Sequence, residues 1–352
     1  MAKERTTKRR IVSELDFPAS ATEEEKIKFL LEYAILAPSA FNTQPWKFKI
    51  EGARISFLGN FETGLKAADS ERRQAHVSLG ATVANFLVAA DRFGVPAAAE
   101  FPSEGFAGAI VTLNFGALHN NEEHAKVSGG AGSAFTPEIF GAIPTRRTSR
   151  GLFRMESIPE DVISHLASAV VGGDGILLSL VTGEEPKRNI GEILKGAQTK
   201  LGESREYRQE VSRWVRSAYS KKLDGAVCGF SGPLSILNSR IAKTFHFWKR
   251  EAENLGSRFS PAPLVCVLST ETDLRQAWVR TGLALQLMAL TAASIGYETE
   301  TSFAPADVPE FRTQLKEIVG QPGFPQAVVR IGSAERLSSP TPRKPVGEFL
   351  EK

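Results

Sequence analysis

Two short stretches gather the groups best suited to hold a polar ligand. Residues 36–48 read LAPSAFNTQPWKF, with two prolines, an asparagine, a glutamine and a tryptophan, but no cysteine, histidine or carboxylate. Residues 144–153 read PTRRTSRGLF, three arginines in five positions interleaved with Thr148 and Ser149. Guanidinium forks and hydroxyls suit phosphate oxygens, so this second stretch is a candidate anion site. By composition alone it equally fits a solvated loop leading into a helix. Pro342-Arg343-Lys344-Pro345 is a further candidate anion contact with the same plain alternative. The usual catalytic signatures are absent: there is no GxxxxGK[ST] loop, no HExxH, no GxSxG and no GxGxxG after a strand. The five histidines form no cluster, so no metal site is expected.

The elements that must position these groups follow from pattern. Thr22 and Glu25 form a capping-box pair before a helix with Ile27, Leu30, Leu31 and Ala34 on one face, which must stop before Pro38. Strands are expected at 54–58 and 109–115, with Ser70 capping a long helix over 71–93 between them. Residues 119–135 are polar and rich in Gly and Ser, the pattern of a linker. A second series follows: a helix opened by Pro159, a strand at 175–182, and a helix over 184–200. Next come a buried strand at 264–269, a helix capped by Asp273 with Gln276 and running to Ile295, and a last strand at 327–331. Residues 202–258 are aromatic, basic and irregular in period, as expected of additional helices covering something.

The two series are related. RQAHVSLG at 73–80 matches RQAWVRTG at 275–282 in five of eight positions, at a constant offset of 202. The register holds through Ala90/Ala292 to the closing Gly94/Gly296. This pattern implies two fused copies of one α+β unit, an internal pseudo-dimer, with the two long helices packed together at a pseudo-two-fold axis. Separate core helices in separate domains are the alternative. The expected boundaries are a basic arm at 1–20, a first half at 21–118, a linker at 119–143, a second half at 144–346 with an insertion at 202–258, and a tail at 347–352.

Composition narrows the classes of function. The chain has 352 residues, 42% hydrophobic and 24% charged, with a net charge of +3, much of it from Lys3, Arg5, Lys8, Arg9 and Arg10. A nearly balanced body gives no electrostatic case for nucleic acid. The longest apolar stretch, 282–295, is too short for a bilayer and is broken by Gln286, Thr291 and Ser294. Cys228 and Cys266 have no CxxC or Cys/His spacing, which fits a reducing compartment. A soluble, cytoplasmic protein acting on a small molecule is expected.

With these residues in view, the chain resembles the nitroreductase family of flavin enzymes. APSAFNTQPWKF is similar to that family's APSxxNxQPWxF segment, RRTSRGLF to its RRSxRxF segment with one residue added, and PRKP to its C-terminal Arg-x-Pro. The length, the mid-chain RRTSR and the closing GQPGFPQAVVRIG resemble the Acg-like, twin-domain branch. The resemblance implies an α+β nitroreductase-like fold with FMN between the two units and NADH or NADPH as reductant. It implies phosphate on Arg146 and Arg343, the ribityl chain or pyrimidine edge on Arg147 and Thr148, and the ring on Pro38, Ser39, Ala40 and Asn42. Gln44 and Trp46 are then structural, and Phe41, where the family often has a small or polar residue, is expected to narrow the space over the ring. The first copy lacks RRTSR and the second lacks NTQPW, so one flavin built from both halves is expected. No side-chain acid or base is then needed, since the flavin carries the reaction; nitroaromatics, quinones or similar electron-poor compounds are the implied substrates. A non-catalytic flavin-sequestering protein, with residues 202–258 as a lid, is the alternative.

Overall fold

In a computed structural model, the residues described are 12–62, 64–102, 108–115, 135–170, 175–230, 232–335 and 338–351. Most of the expected basic arm and of the Gly/Ser-rich linker lies outside them.

The first series folds as α1 (Glu23–Ala34), β1 (Trp46–Glu51), β2 (Arg54–Gly59), α2 (Arg73–Arg92), β3 (Ala97–Glu100) and β4 (Gly108–Leu113). The capping box closes α1 as the sequence indicates, with the Thr22 amide donating to Glu25 Oε2 at 3.0 Å. The cap of α2 differs from expectation. Ser70 does not serve; instead the Asp69 carboxylate accepts from the amides of Gln74 and Ala75 at 3.1 and 2.9 Å. Helix α3 (Pro137–Thr145) occupies the end of the expected linker, and Phe140, Ala142 and Ile143 bury into the first half's core.

The second series folds as α4 (Glu160–Ser168) and β5 (Ile176–Val181), then α5 (Glu184–Glu203), α6 (Arg205–Ser212), β6 (Val215–Arg216), β7 (Ala226–Val227), α7 (Asn238–Ile241) and α8 (Phe245–Phe259). It closes with β8 (Leu264–Thr270), α9 (Arg275–Ser294), β9 (Glu298–Ser302), α10 (Ala304–Asp307), α11 (Pro309–Val319) and β10 (Phe324–Gly332). Pro159 is the N-cap residue of α4 and not its first helical residue. Asp273 caps nothing; it accepts from Trp278 Nε1 at 2.7 Å and from Arg312 and Gln326.

The two four-stranded sheets share one topology. Their orders are β1-β2-β4-β3 and β5-β8-β10-β9, every neighbour antiparallel, with α2 and α9 at the same place in the connection. They differ in how many faces are covered. In the first sheet β1 and β2 alternate in burial, so one face meets the core. In the second, all seven residues of β8 are buried. Leu264, Cys266 and Leu268 face α9, whereas Val265 and Val267 face α5, α8 and α11. Part of the segment between β5 and β8 therefore completes a second core.

Helices α2 and α9 meet almost without side chains between them. A Cβ built on Gly80 would fall 1.8 Å from the Val279 carbonyl oxygen, and one on Gly282 would fall 1.8 Å from that of Val77. These contacts exchange under the 202-residue offset, as a local two-fold axis requires. Beside the crossing, Gln286 Nε2 donates to Asn85 Oδ1 at 2.7 Å.

At the mouth of this crossing, Gln74 Nε2 on α2 donates to Asp307 Oδ2 at 2.7 Å, and Arg73 Nη1 lies 4.0 Å from Asp307 Oδ1. Burial, aided by the charges of Asp69 and Glu71, pushes the Asp307 carboxyl up to about 7, while Arg73 and Gln74 act in the opposite sense. A carboxyl raised in the folded state keeps its proton after the unfolded chain has lost it. Its contribution to stability therefore falls as pH rises from about 4 to about 7. Asp307→Asn is expected to be more stable than wild type near pH 8, by on the order of 2 kcal/mol, and no more stable near pH 4. Denaturation midpoints at the two pH values provide the check.

Candidate functional site

Between α1 and β1 the backbone is bent by three residues that are rarely left-handed: Phe41, Asn42 and Gln44 have φ of 47°, 54° and 54°. Such strain persists only where the surroundings hold it. Here the Gln44 amide donates to Ser39 Oγ at 3.0 Å, and the Lys344 amide donates to Gln44 Oε1 at 3.0 Å. Trp46, fully buried, then starts β1. Gln44 and Trp46 thus have the structural parts expected of them, while Pro38, Ser39 and Ala40 stay half-buried along the loop.

The C-terminal segment reaches this loop by joining the first half. The Phe48 amide donates to the Phe349 carbonyl at 2.8 Å, and the Glu351 amide to that of Phe48 at 2.8 Å, so residues 348–351 run beside β1. Of the expected C-terminal tail at 347–352, the described residues 347–351 form a packed edge, with Phe349 in the first core. Arg343 is carried with it. Its Nε donates to the Ile35 carbonyl at 2.8 Å, Nη2 to those of Leu36 and Ala37, and Nη1 to Asn42 Oδ1 at 2.8 Å and Thr341 Oγ1 at 2.6 Å. All five guanidinium N–H groups are engaged within the protein. So placed, Arg343 fixes the loop and lends its charge beside Arg146 and Arg147.

Arg146, Arg147 and Thr148 lie opposite, at the edge of the second sheet, where Thr148 bridges to Thr299 and the Ser149 amide donates to the Thr299 carbonyl at 3.0 Å. Arg146 is buried, 6% exposed, with Nη1 3.4 Å from Thr148 Oγ1. Arg147 Nη1 donates to the carbonyls of Pro144 and Arg146 at 2.9 Å each. Burial and the neighbouring Arg147 bring the Arg146 guanidinium down to about 10; burial, Arg146 and Arg147 bring that of Arg343 down to about 9. The carboxylate that favours the charge of Arg146 and Arg147 is Glu298. Among the described residues, Arg146, Arg147 and Arg343 lie near enough to shift one another, a concentration of positive charge that suits a phosphate group.

A network that sequence reasoning missed holds the arginine strand in place. Fully buried Arg330 on β10 donates to the carbonyls of Ser149 and Gly151 at 3.0 and 2.6 Å and pairs with Glu300 at 2.7 Å. Glu300 also takes Arg258 at 2.8 Å. The available signal was ETETS at 298–302, whose alternating glutamates share one face of a strand that its polarity conceals.

The segment between β5 and β8 has two parts. Helices α5 and α8 cover the second sheet, as described. Residues 205–237 instead reach the strained loop: Gln44 Nε2 donates to the Leu223 carbonyl at 2.8 Å, and the Gly225 amide to that of Asn42 at 3.2 Å. Ala40 and Phe41 pack in a cluster with Leu65, Tyr207, Val211, Trp214 and Trp248. Cys228 lies in the same cluster and accepts from Arg150 Nη1 at 3.1 Å. Among the described residues no group of His, Cys, Asp and Glu is arranged to hold a metal, and no helix is long and apolar enough to cross a membrane.

Fold and site together define an α+β protein with two sheets of one topology and a group of arginines near the strained loop, and relatives match it over more than nine-tenths of its length. The family model described as "Putative TM nitroreductase" matches residues 1–90. The Mycobacterium tuberculosis protein named "Putative NAD(P)H nitroreductase acg" is 23% identical over 349 residues, covering 95% of this chain and 97% of its own. A second NAD(P)H nitroreductase-named protein of that organism is 24% identical over 342 residues, covering 93% and 91%. Among solved structures, the FMN-dependent nitroreductase NfnB of Mycobacterium smegmatis in complex with NADPH is 16% identical, covers 61% of this chain and 97% of its own, and has a TM-score of 0.41. Over most of its length the chain is thus similar to proteins named as NAD(P)H nitroreductases, and its first 90 residues match a nitroreductase family model.

Proposed function

We propose that the protein is an FMN-dependent NAD(P)H oxidoreductase acting on nitroaromatics, quinones or similar electron-poor compounds. The observation that carries this reading is that Arg343, which holds the strained 36–46 loop, lies near enough to Arg146 and Arg147 to feel their charge, so that three cations gather beside that loop. In this reading Arg146 and Arg147 hold the phosphate, and Arg343 pins the loop through Asn42. Thr148 and Arg147 donate toward the pyrimidine edge, where negative charge grows on reduction. Pro38, Ser39, Ala40 and Asn42 shape the surface for the ring. FMN, when bound, accepts hydride from NAD(P)H and delivers it to the second substrate. The shared sheet topology and the 202-residue offset support descent from two fused copies. With one NTQPW loop and one RRTSR strand, the chain then holds one FMN as a monomeric internal pseudo-dimer.

The expected result is a yellow protein with one FMN per chain, bleached by NADH or NADPH under anaerobic conditions and recoloured by a nitroaromatic or a quinone. An FMN-loaded protein reduced by neither nucleotide would exclude this function. The seating of residues 205–237 on the loop supports a second reading, flavin sequestration. Sequestration predicts no reduction even in a single turnover, whereas a gated reductase is reduced once quickly and turns over slowly.

A further inference from the structure

One carboxylate of the 205–237 segment docks far from its own neighbourhood. Glu210 on α6 accepts from three consecutive backbone amides of the first half: Lys66 donates to Oε1 at 2.6 Å, and Ala67 and Ala68 to Oε2 at 2.7 and 2.9 Å. Donor and acceptor are 142 to 144 residues apart, so this is no local cap. Successive N–H groups converging on one acceptor form a nest, a concavity of partial positive charge that receives carboxylate or phosphate oxygens. A two-oxygen anion at these distances is what such a nest is shaped to hold, and the chain supplies one from its own side chain.

The nest continues the candidate site. A small pocket lined by Ala40, Thr43, Phe61, Leu65, Asp69 and Arg72 lies between the ring-facing loop and the nest. Leu65 and Ala68, on either side of the nest, pack with Ala40 and Phe41 on one hand and Tyr207 and Val211 on the other. Of the contacts that seat residues 205–237 on the first half, the bonds from Asn42 and Gln44 reach backbone carbonyls and the cluster around Phe41 is apolar. The Glu210 contact is a carboxylate held by backbone amides, which an anion in solution can replace; the Asp224–Lys344 pair at 3.8 Å is a salt bridge between side chains and offers no such nest.

We propose that the amides of Lys66, Ala67 and Ala68 form an oxyanion subsite of the candidate active site, which Glu210 fills and by which residues 205–230 are latched shut. An incoming phosphate or carboxylate takes the nest, displaces Glu210 and frees the segment. The place of this subsite in a reaction rests on the function proposed above; its existence as an anion site does not.

Amide hydrogen exchange of the full-length protein, with Glu210→Ala and Glu210→Gln, separates the two. Exchange at 66–68 is expected to rise about tenfold or more in both variants, the loss of roughly 1.4 kcal/mol of protection. Exchange across 205–230 should rise with it, and the C-terminal part of α8, where Leu255 and Phe259 are held on the second sheet, should not change. Inorganic phosphate should restore protection at 66–68 in Glu210→Ala without restoring 205–230, and should loosen 205–230 in wild type. Acetate in a parallel titration distinguishes a nest that takes any carboxylate from one that takes phosphate alone. Unchanged exchange at 66–68 in both variants, or no restoration by either anion, would overturn the subsite. Exposure of 66–68 with 205–230 unaffected would overturn the latch. None of these readouts requires flavin, so a failed spectral test would leave them standing.

Discussion

Replacing Gly282 with alanine is expected to destabilise the protein by roughly 3 kcal/mol or more, at the upper end of what overpacking costs. The added methyl would sit 1.8 Å from the Val77 carbonyl oxygen, a backbone atom that cannot rotate away. Relief requires α2 and α9 to separate, and both run through the cores of their halves, with Val279 and Leu290 in the first core and Val77 in the second. Alanine gains up to about 1 kcal/mol over glycine in helix propensity, too little to offset this. Gly80→Ala should behave alike, because its methyl meets the Val279 oxygen at the same distance. Gly141→Ala on α3, where an added Cβ meets nothing within 4 Å, is the control and should be neutral or stabilising. Denaturant titration of the three variants measures the effect. A loss below about 1 kcal/mol for both Gly80→Ala and Gly282→Ala would mean that the helices do not cross this closely.

Arg146→Met is expected to weaken FMN binding by about 10- to 100-fold, since one charge-assisted bond contributes about 1.5–3 kcal/mol. The pair Arg146→Met with Arg147→Met should abolish binding at micromolar flavin. Stability should move differently. Arg146 is held below its ordinary range by burial and by Arg147, so at neutral pH its charge opposes folding. Without flavin, the single variant should therefore melt no lower than wild type at neutral pH, and flavin should raise its melting temperature less. Flavin content and thermal midpoints with and without FMN test both parts. Unchanged flavin content in the double variant would show that these arginines do not hold the phosphate.

The comparison of sequence with structure is informative residue by residue. Helix α1 was legible because its capping box and its apolar face are local signals, and both are present as read. The match at 73–80 and 275–282 located the helix crossing because glycine is required where two backbones touch. Strand β9 was hidden because Glu298 and Glu300 look like surface residues until the arginines facing them are known. The cap on α2 was misassigned to Ser70 because the Asp69 carboxylate reaches forward along the chain from outside the first turn. Residues 202–258 looked uniform in composition, yet α8 builds a core while Leu223 and Gly225 sit on the strained loop. Periodicity reports that a face is buried, not what buries it.

What the sequence determined by itself is therefore the set of local commitments: caps, turns, the repeated helix, and the two polar stretches without cysteine, histidine or carboxylate. The tertiary structure alone decided how those stretches meet. Arg343 reaches Asn42 across 301 residues, and Glu210 reaches Ala67 across 143. Pairings at such separations depend on how helices cross and sheets align, and a side chain's neighbours along the chain carry no record of them. LAPSAFNTQPWKF is thus a strained loop held by an arginine from the far end of the chain.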